Sequence, residues 1–169
     1  MAIEFKINKQ KAIECVLWLI QRGENDMYCI WKMMFEAEKY HLNKYGRPIT
    51  GDTYNAMEYG TVPDWLYDYA NQLDTKRGFV KRENTFLAER VPTRKLFSET
   101  DIEALDYGCN KYTGLSFNEV KKENHKEPAW ENNWKKRGIL KKVPIPFEEL
   151  IEEAWLKEEL EWSSRFLVI

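Results

Sequence analysis

The sequence predicts a mainly α-helical protein, a compact multi-helix domain with a small β-hairpin. Apolar residues repeat at helical spacing in several stretches that begin at a capping residue or end at a glycine. Residues 79–90 differ, because two short runs flank a polar pair, Glu83 and Asn84, as in a hairpin. With 169 residues, of which 43% are hydrophobic and 32% charged, the chain can bury one apolar core, so we expect a single domain over residues 1–169.

Two amphipathic helices are predicted near the N-terminus. The first covers residues 9–22, whose apolar side chains recur on one helical face, and Gly23 ends it. A cap at Asn25 or Asp26 begins the second helix. Gly46 ends that helix in the left-handed conformation that glycine adopts at low cost.

Shorter helices are predicted after Gly46. Two lie near residues 51–59 and 63–73, and Pro63 fits the first turn of the second because its missing N–H is not needed there. The clearest helix start in the chain is a capping box, in which the Ser98 hydroxyl accepts from the Asp101 amide.

The C-terminal part is predicted to be helical with one long loop. Gly114 ends the helix before it, and Ser116 begins a short one. The loop that follows carries His125 and Trp130. Over residues 144–169 we expect an acidic amphipathic helix.

Charge is unevenly distributed along the chain. The formal charge of −2 disfavours a general nucleic-acid binder, which would normally be basic. Residues 121–142 nevertheless hold eight lysines and arginines against three glutamates, whereas residues 147–169 hold seven glutamates against one lysine and one arginine. These segments, +5 and −5, could pair within the chain or present opposite faces to a partner.

Several features point to the cytoplasm. The N-terminus has no basic-then-apolar leader, and no apolar run is long enough to span a membrane. The three cysteines are unclustered, which fits reduced thiols. We therefore expect a cytoplasmic protein without membrane association.

The sequence offers no recognisable catalytic set. Its two histidines and three cysteines provide no ligand pair at metal spacing, so we expect no metal. There is no nucleophile elbow and no phosphate-binding loop, and we expect neither a cofactor nor catalytic residues. His41 lies on an apolar helical stripe and is interpreted as a buried, hydrogen-bonded histidine; His125 is interpreted as a structural latch against Trp130.

Two surfaces are candidates for binding a partner. One is the basic cluster with a neighbouring indole; the other is the aromatic stripe of the last helix. The candidate residues are Trp134, Lys135, Lys136, Arg137, Trp155, Trp162 and Phe166. The basic cluster could bind RNA by charge and stacking, but the acidic chain favours a protein partner with an acidic patch.

Residues 45–67 carry the most distinctive pattern, in which glycines and prolines alternate with aromatic residues. Together with His41 upstream and two motifs downstream, the pattern resembles the SocA-like antitoxin family, also called the Panacea domain, over residues 27–135. The residues that carry the signature are His41, Tyr45, Gly46, Arg47, Pro48, Tyr59, Gly60, Val62, Pro63, His125 and Trp130. Lys32, Ala56, Leu66, Tyr67, Ser98, Glu99, Asp101 and Leu105 match it as well. Thr61 stands where the family usually has proline, which could loosen the turn, and Asn124 stands where it has threonine.

The resemblance implies the antitoxin of a bacterial or phage toxin–antitoxin pair, which neutralises a cognate toxin by direct binding. An alternative is an adaptor that delivers the toxin to a protease, or a phage-associated regulatory protein. A third, enzymatic hypothesis would require His41 or His125 as general base. The sequence leaves the identity of the toxin and the oligomeric state open.

Overall fold

The computed structural model describes residues 3–72 and 78–166. Its helices are α1 (Lys9–Gln21), α2 (Met27–Tyr45), α3 (Asp64–Ala70), α4 (Glu99–Tyr112), α5 (Phe117–Asn124), α6 (Pro128–Trp134) and α7 (Ala154–Phe166). Strands β1 (Tyr54–Met57), β2 (Gly60–Pro63) and β5 (Lys142–Ile145) form one sheet, and β3 (Phe79–Arg82) and β4 (Thr85–Ala88) form another. The mainly helical prediction is confirmed, with more β-structure than the single hairpin expected.

Helix α2 is the centre of the fold, and most of its side chains are buried. It begins at Asp26, whose carboxylate accepts the Cys29 amide at 2.8 Å. It ends at Gly46, which has a φ of +74° and donates its N–H to the Leu42 carbonyl, as predicted. Helix α4 packs along it, and the capping box predicted between Ser98 and Asp101 is present at its start.

The helix predicted near residues 51–59 was wrong, because this segment is the β1–β2 hairpin. Strand β1 lies in the middle of its sheet, with Tyr54 opposite Pro63 of β2 on one side and Ile145 of β5 on the other. Its first three side chains are buried. Burial between two neighbouring strands outweighs the helix preference of single residues such as Ala56 and Met57.

The next two predictions are largely confirmed. Helix α3 follows Pro63, which is its N-cap; residue 73 at its predicted end lies outside the described residues. Strands β3 and β4 form the predicted hairpin around Glu83 and Asn84, and Glu83 has a φ of +57°.

The long C-terminal helix predicted over residues 144–169 was wrong in its first part. The chain there forms β5 and a 3-10 helix, Phe147–Leu150, before α7 begins at Ala154. Pro144 and Pro146 explain the difference, because proline lacks the N–H that a helix interior needs but is tolerated at a sheet edge such as β5. The predicted loop before it is also shorter, since His125 ends α5 and Trp130 lies in α6.

Helix α7 has two faces. Leu156 and Leu160 are buried, whereas the side chains of Trp155 and Trp162 are 61% and 59% exposed. The side chain of Phe166 lies outside the described residues. Throughout the part of the chain that the structure describes, no helix combines the length and apolarity needed to cross a membrane.

Candidate partner-binding groove

His41 closes the loop after α2 onto α4. The buried ring donates from Nδ1 to the Arg47 carbonyl at 2.6 Å, so Nε2 accepts the Thr100 hydroxyl at 2.9 Å. Asp101 Oδ1 lies 3.5 Å from Nε2. Burial lowers the pKa of His41, and the ring is therefore neutral near pH 7. The structure thus places His41 as the buried, hydrogen-bonded histidine that its helical position predicts.

The Tyr-Gly-Arg-Pro part of the signature serves the same junction. The Arg47 guanidinium lies 3.4 Å from the hydroxyl oxygens of Ser98 and Thr100, and the Tyr45 hydroxyl donates to Glu103 at 2.6 Å. Pro48 follows, half-buried. These residues hold helices α2 and α4 together rather than converging on an open cavity.

The β1–β2 hairpin contacts a buried cation on α2. Lys32 is fully buried, and its ammonium donates to the Thr61 carbonyl at 2.8 Å and lies 4.3 Å from the centre of the Tyr28 ring. In residues 3–72 and 78–166, no carboxylate lies within 4.0 Å of this ammonium. Burial is the main influence on Lys32 and lowers its pKa from 10.5 to about 7.

Gly60 permits this arrangement. Its φ of +124° is accessible to glycine, and a Cβ at this position would lie 2.1 Å from Asn124 Oδ1 and 2.8 Å from Lys32 Cε. The next signature residues, Val62 and Pro63, are buried, while Tyr59 is 48% exposed at the turn. The hairpin therefore approaches α2 and α5 closely, and the half-exposed Tyr59 ring lies against Phe117 of α5 with the ring centres 5.8 Å apart.

The last two signature residues fasten the α5–α6 corner to the hairpin. The rings of His125 and Trp130 stack with their centres 3.7 Å apart and their planes 7° apart. Trp130 Nε1 donates to the Met57 carbonyl at 2.8 Å. Burial lowers the pKa of His125, and the nearby charges of Lys121 and Lys32 lower it further.

An open groove of about 800 Å³ lies between the first half of α2, the β1–β2 turn and the segment after α6. We call it the Lys32 groove. Its lining residues are Met27, Tyr28, Trp31, Lys32, Met57, Glu58, Tyr59, Val62, Tyr67, Trp134, Arg137, Gly138, Ile139, Leu140 and Lys141. Ile139 is fully exposed and Leu140 is 57% exposed, so the groove has an apolar edge open to solvent.

The groove is positively charged. Lys32, Arg137 and Lys141 line it, against one lining carboxylate, Glu58. The Arg137 guanidinium lies 4.4 Å from the centre of the Trp134 ring, a cation–π contact that holds both side chains in place. An aromatic surface with cations beside it is suited to bind a segment that is both apolar and negatively charged.

The structure separates the predicted partner-binding residues. Trp134 and Arg137 line the Lys32 groove, whereas Lys135 and Lys136 are exposed outside it. The groove adjoins the start of α2, whereas α7 packs at its other end, where Leu156 lies beside Gly46. A helix of this length spans about 28 Å, so Trp155 and Trp162 form a different surface from the groove.

Sequence reasoning missed part of the groove. Tyr28, Ile139 and Leu140 belong to it but were not predicted, and Lys32 was noted only as a match to the family pattern. Ile139 and Leu140 did carry a signal, because an apolar pair next to Gly138 within a basic segment is unusual in a solvated turn. No sequence signal indicated the burial of Lys32, because this burial depends on a strand about thirty residues further along the chain.

The protein is thus small and mainly helical. Its signature residues join the helices to the β1–β2 hairpin and border a basic, aromatic groove. The sequence matches the SocA-like antitoxin family with the Panacea domain over residues 30–131, more than half of the chain. The chain therefore belongs to this family, which supports a general antitoxin role; its members are typically not enzymes. No curated protein matches the chain, and no solved structure matches it.

Proposed function

We propose that this protein is the antitoxin of a bacterial or phage toxin–antitoxin pair and that it neutralises its toxin by direct binding through the Lys32 groove. The observation that carries the proposal is the groove itself, which is bordered by the signature hairpin and leaves apolar and cationic side chains uncovered. Membership of an antitoxin family gives the class of partner. Such inhibition requires no catalysis by this chain. It requires only that the chain cover the surface of the toxin that acts on its target.

The two histidines fit a structural role. His41 is buried with both ring nitrogens hydrogen-bonded, and His125 lies stacked on Trp130. A general base must reach the proton of a substrate. His41 has no free nitrogen with which to do so, and His125 Nε2, which has no hydrogen-bond partner among the described residues, is buried away from solvent. We therefore propose binding in place of catalysis.

The test is co-expression with the neighbouring open reading frame of the source genome. Arrest of growth by that gene alone, and its rescue by this chain, is the expected result. Arg137→Glu with Lys141→Glu should abolish rescue, because the groove changes from positive to negative. Lys135→Glu with Lys136→Glu makes the same change of charge outside the groove and should preserve rescue. A neighbouring product that neither arrests growth nor binds the purified chain would contradict the proposal.

A second candidate function is delivery of the toxin to a protease. An adaptor needs a second contact surface, and the Trp155 and Trp162 face of α7 supplies one at the far end of α2 from the groove. Purified chain and toxin mixed without a protease separate the two functions. Inhibition in that mixture supports occlusion, whereas inhibition only after a protease is added supports the adaptor.

A further inference from the structure

Elsewhere in the fold, lysines that are largely shielded from water have a carboxylate partner. Lys11 lies 2.6 Å from Asp101, and Lys39 lies 2.8 Å from Glu127. Their side chains are 13% and 17% exposed. This is the usual arrangement, because a charge removed from water is costly unless an opposite charge accompanies it.

Lys32 departs from this arrangement, and the two exposed cations beside it, Arg137 and Lys141, are unpaired as well. Lys32 is buried, yet its ammonium has a carbonyl oxygen and an aromatic ring as neighbours. Arg137 contacts the ring and the carbonyl of Trp134. Among the described residues, neither Lys32, Arg137 nor Lys141 forms an ion pair within 4.0 Å. Three cations thus share one groove without an ion pair among the described residues: Lys32 is buried, whereas Arg137 and Lys141 are exposed.

Apolar groups alternate with these cations. Trp134 and Leu140 lie in the lining next to Arg137 and Lys141, and Tyr28 covers Lys32. A ligand that fits such a lining must carry an apolar side chain and carboxylates within a few residues of each other. A protein segment can meet both demands in one stretch of chain.

We propose that the Lys32 groove binds a segment of the toxin in which an aromatic or aliphatic side chain is flanked by aspartate or glutamate. The inference rests on the proposed function and specifies the chemistry of its contact. Charge complementarity carries it, because the carboxylates of the segment would pair with Arg137 and Lys141, which are exposed and form no ion pair within 4.0 Å among the described residues. Nucleic acid fits less well, since the apolar edge at Ile139 and Leu140 offers nothing to a phosphate and the whole chain carries a charge of −2.

The test uses the purified full-length chain and a displayed library of random linear dodecapeptides. Selection on the native protein should enrich peptides with net negative charge and at least one large apolar residue. One enriched peptide is then synthesised with a twin in which every Asp and Glu is replaced by the matching amide. Fluorescence anisotropy should show that the acidic peptide binds at least about tenfold more tightly than its twin.

Two matched variants locate the binding. Arg137→Glu with Lys141→Glu should weaken binding of the acidic peptide at least about tenfold, whereas Lys135→Glu with Lys136→Glu should change it less than about twofold. Circular dichroism confirms that both variants are folded. The proposal is overturned by enrichment of neutral or basic peptides, by no enrichment, or by equal effects of both variants. A single-stranded oligonucleotide that displaces the peptide at equal concentration would also overturn it and favour nucleic acid.

The alternative occupant of the groove is α7 of a second copy of this chain. Its exposed face carries Trp155, Trp162 and glutamates, and so has the chemistry of the proposed segment. Light scattering after gel filtration tests this alternative. The proposal would be overturned if the native chain is a dimer and if two variants are monomers: Arg137→Glu with Lys141→Glu, and Trp155→Ala with Trp162→Ala. Failure of the proposed function can be distinguished from failure of this inference. If the native chain rescues growth and the groove variant rescues equally well, only the groove assignment is lost; if the native chain does not rescue, peptide selection still reports on the groove.

Discussion

Thr61 and Asn124 hold each other through reciprocal hydrogen bonds inside the protein. The Thr61 amide donates to Asn124 Oδ1 at 2.8 Å, and the Asn124 side-chain amide donates to Thr61 Oγ1 at 3.0 Å. Both residues are fully buried. These are the two positions that differ from the pattern on which the family resemblance rests, and in this chain their side chains are hydrogen-bonded to each other. Whether Thr61 loosens the turn relative to proline stays a prediction, which the variants below test.

The first prediction concerns this pair. Thr61→Pro removes the amide donor and orphans Asn124, and Asn124→Thr removes the acceptor of the Thr61 amide. Each change should lower the free energy of unfolding by about 1–3 kcal/mol. The double variant, which has the family's usual residues, should lose less than the sum, with a coupling of about 1 kcal/mol or more. Urea unfolding measures all four proteins, and additive losses would show that the two residues do not depend on each other.

The second prediction is that Lys32→Met stabilises the free protein. Lowering the pKa of a lysine from 10.5 to about 7 corresponds to roughly 4 kcal/mol. Loss of the hydrogen bond to the Thr61 carbonyl offsets part of this stabilisation. We therefore expect the free energy of unfolding to rise by about 2 kcal/mol at pH 7. Thermal unfolding checks it, with Lys157→Met on the exposed surface of α7 as the control. Binding of the acidic peptide should weaken in Lys32→Met, and a variant that binds normally would remove Lys32 from the groove's function.

The third prediction is that Lys32 makes the stability of the protein depend on pH, and that Lys32→Met removes this contribution. Between pH 7 and 10.5 the unfolded chain binds a proton at Lys32 that the folded chain releases. The free energy of unfolding should therefore rise with pH across this window, and the contribution of neutral Lys32 is lost as pH falls from 10.5 towards 7. The difference between the native and variant curves isolates this residue from the tyrosines and cysteines. A constant difference across the window would show that Lys32 has an ordinary pKa in the fold.

The fourth prediction separates the structural from the enzymatic interpretation of His41. Alanine leaves the Arg47 carbonyl and the Thr100 hydroxyl without partners and should lower the free energy of unfolding by about 3 kcal/mol. Asparagine can still donate to the Arg47 carbonyl, so His41→Asn should lose about 1 kcal/mol. Because burial lowers the pKa of His41, its contribution is complete above pH 6.5 and is lost as the pH falls below that value. A stable His41→Ala protein that has lost only its function would favour catalysis.

The fifth prediction concerns the two faces of α7. Trp155→Ala with Trp162→Ala should change the free energy of unfolding by less than about 1 kcal/mol, since both side chains are mostly exposed. Leu156→Ala should lower it by about 2 kcal/mol, because Leu156 is buried. Trp162→Ala with Phe166→Ala should weaken toxin binding if α7 takes part in it. Melting of either tryptophan variant well below the native protein would assign this face to the core.

Local signals predicted the local parts of the fold. Ser98 and Asp101 mark the start of α4 because a capping box involves only neighbouring residues, and Gly46 marks the end of α2 for the same reason. The Glu83–Asn84 hairpin likewise depends on two adjacent runs. In each case a signal within a few residues of chain marks the element, although the hairpin is also bonded to the start of α2, where the Met27 amide donates to the Asn84 carbonyl at 2.8 Å.

Contacts distant in sequence decided what was missed. Residues around Ala56 favour a helix when considered alone, but β1 is set by pairing with β5, where Ala56 lies opposite Val143. The groove depends on the same kind of contact, since Lys32, Tyr59 and Arg137 come from three separate parts of the chain. Periodicity and spacing report on one segment at a time, so they identify Trp134 and Arg137 as candidates without showing what lies opposite them.

The burial of Lys32 without a carboxylate partner among the described residues also bears on how long the protein survives in a cell. Burying this side chain costs stability, so the unoccupied protein should open more often than a protein whose groove is occupied by a ligand. Cellular proteases degrade opened chains, so turnover should fall first on molecules that have not met a toxin. Under the proposed function, the unbound molecules would therefore disappear before the complexes do when synthesis stops.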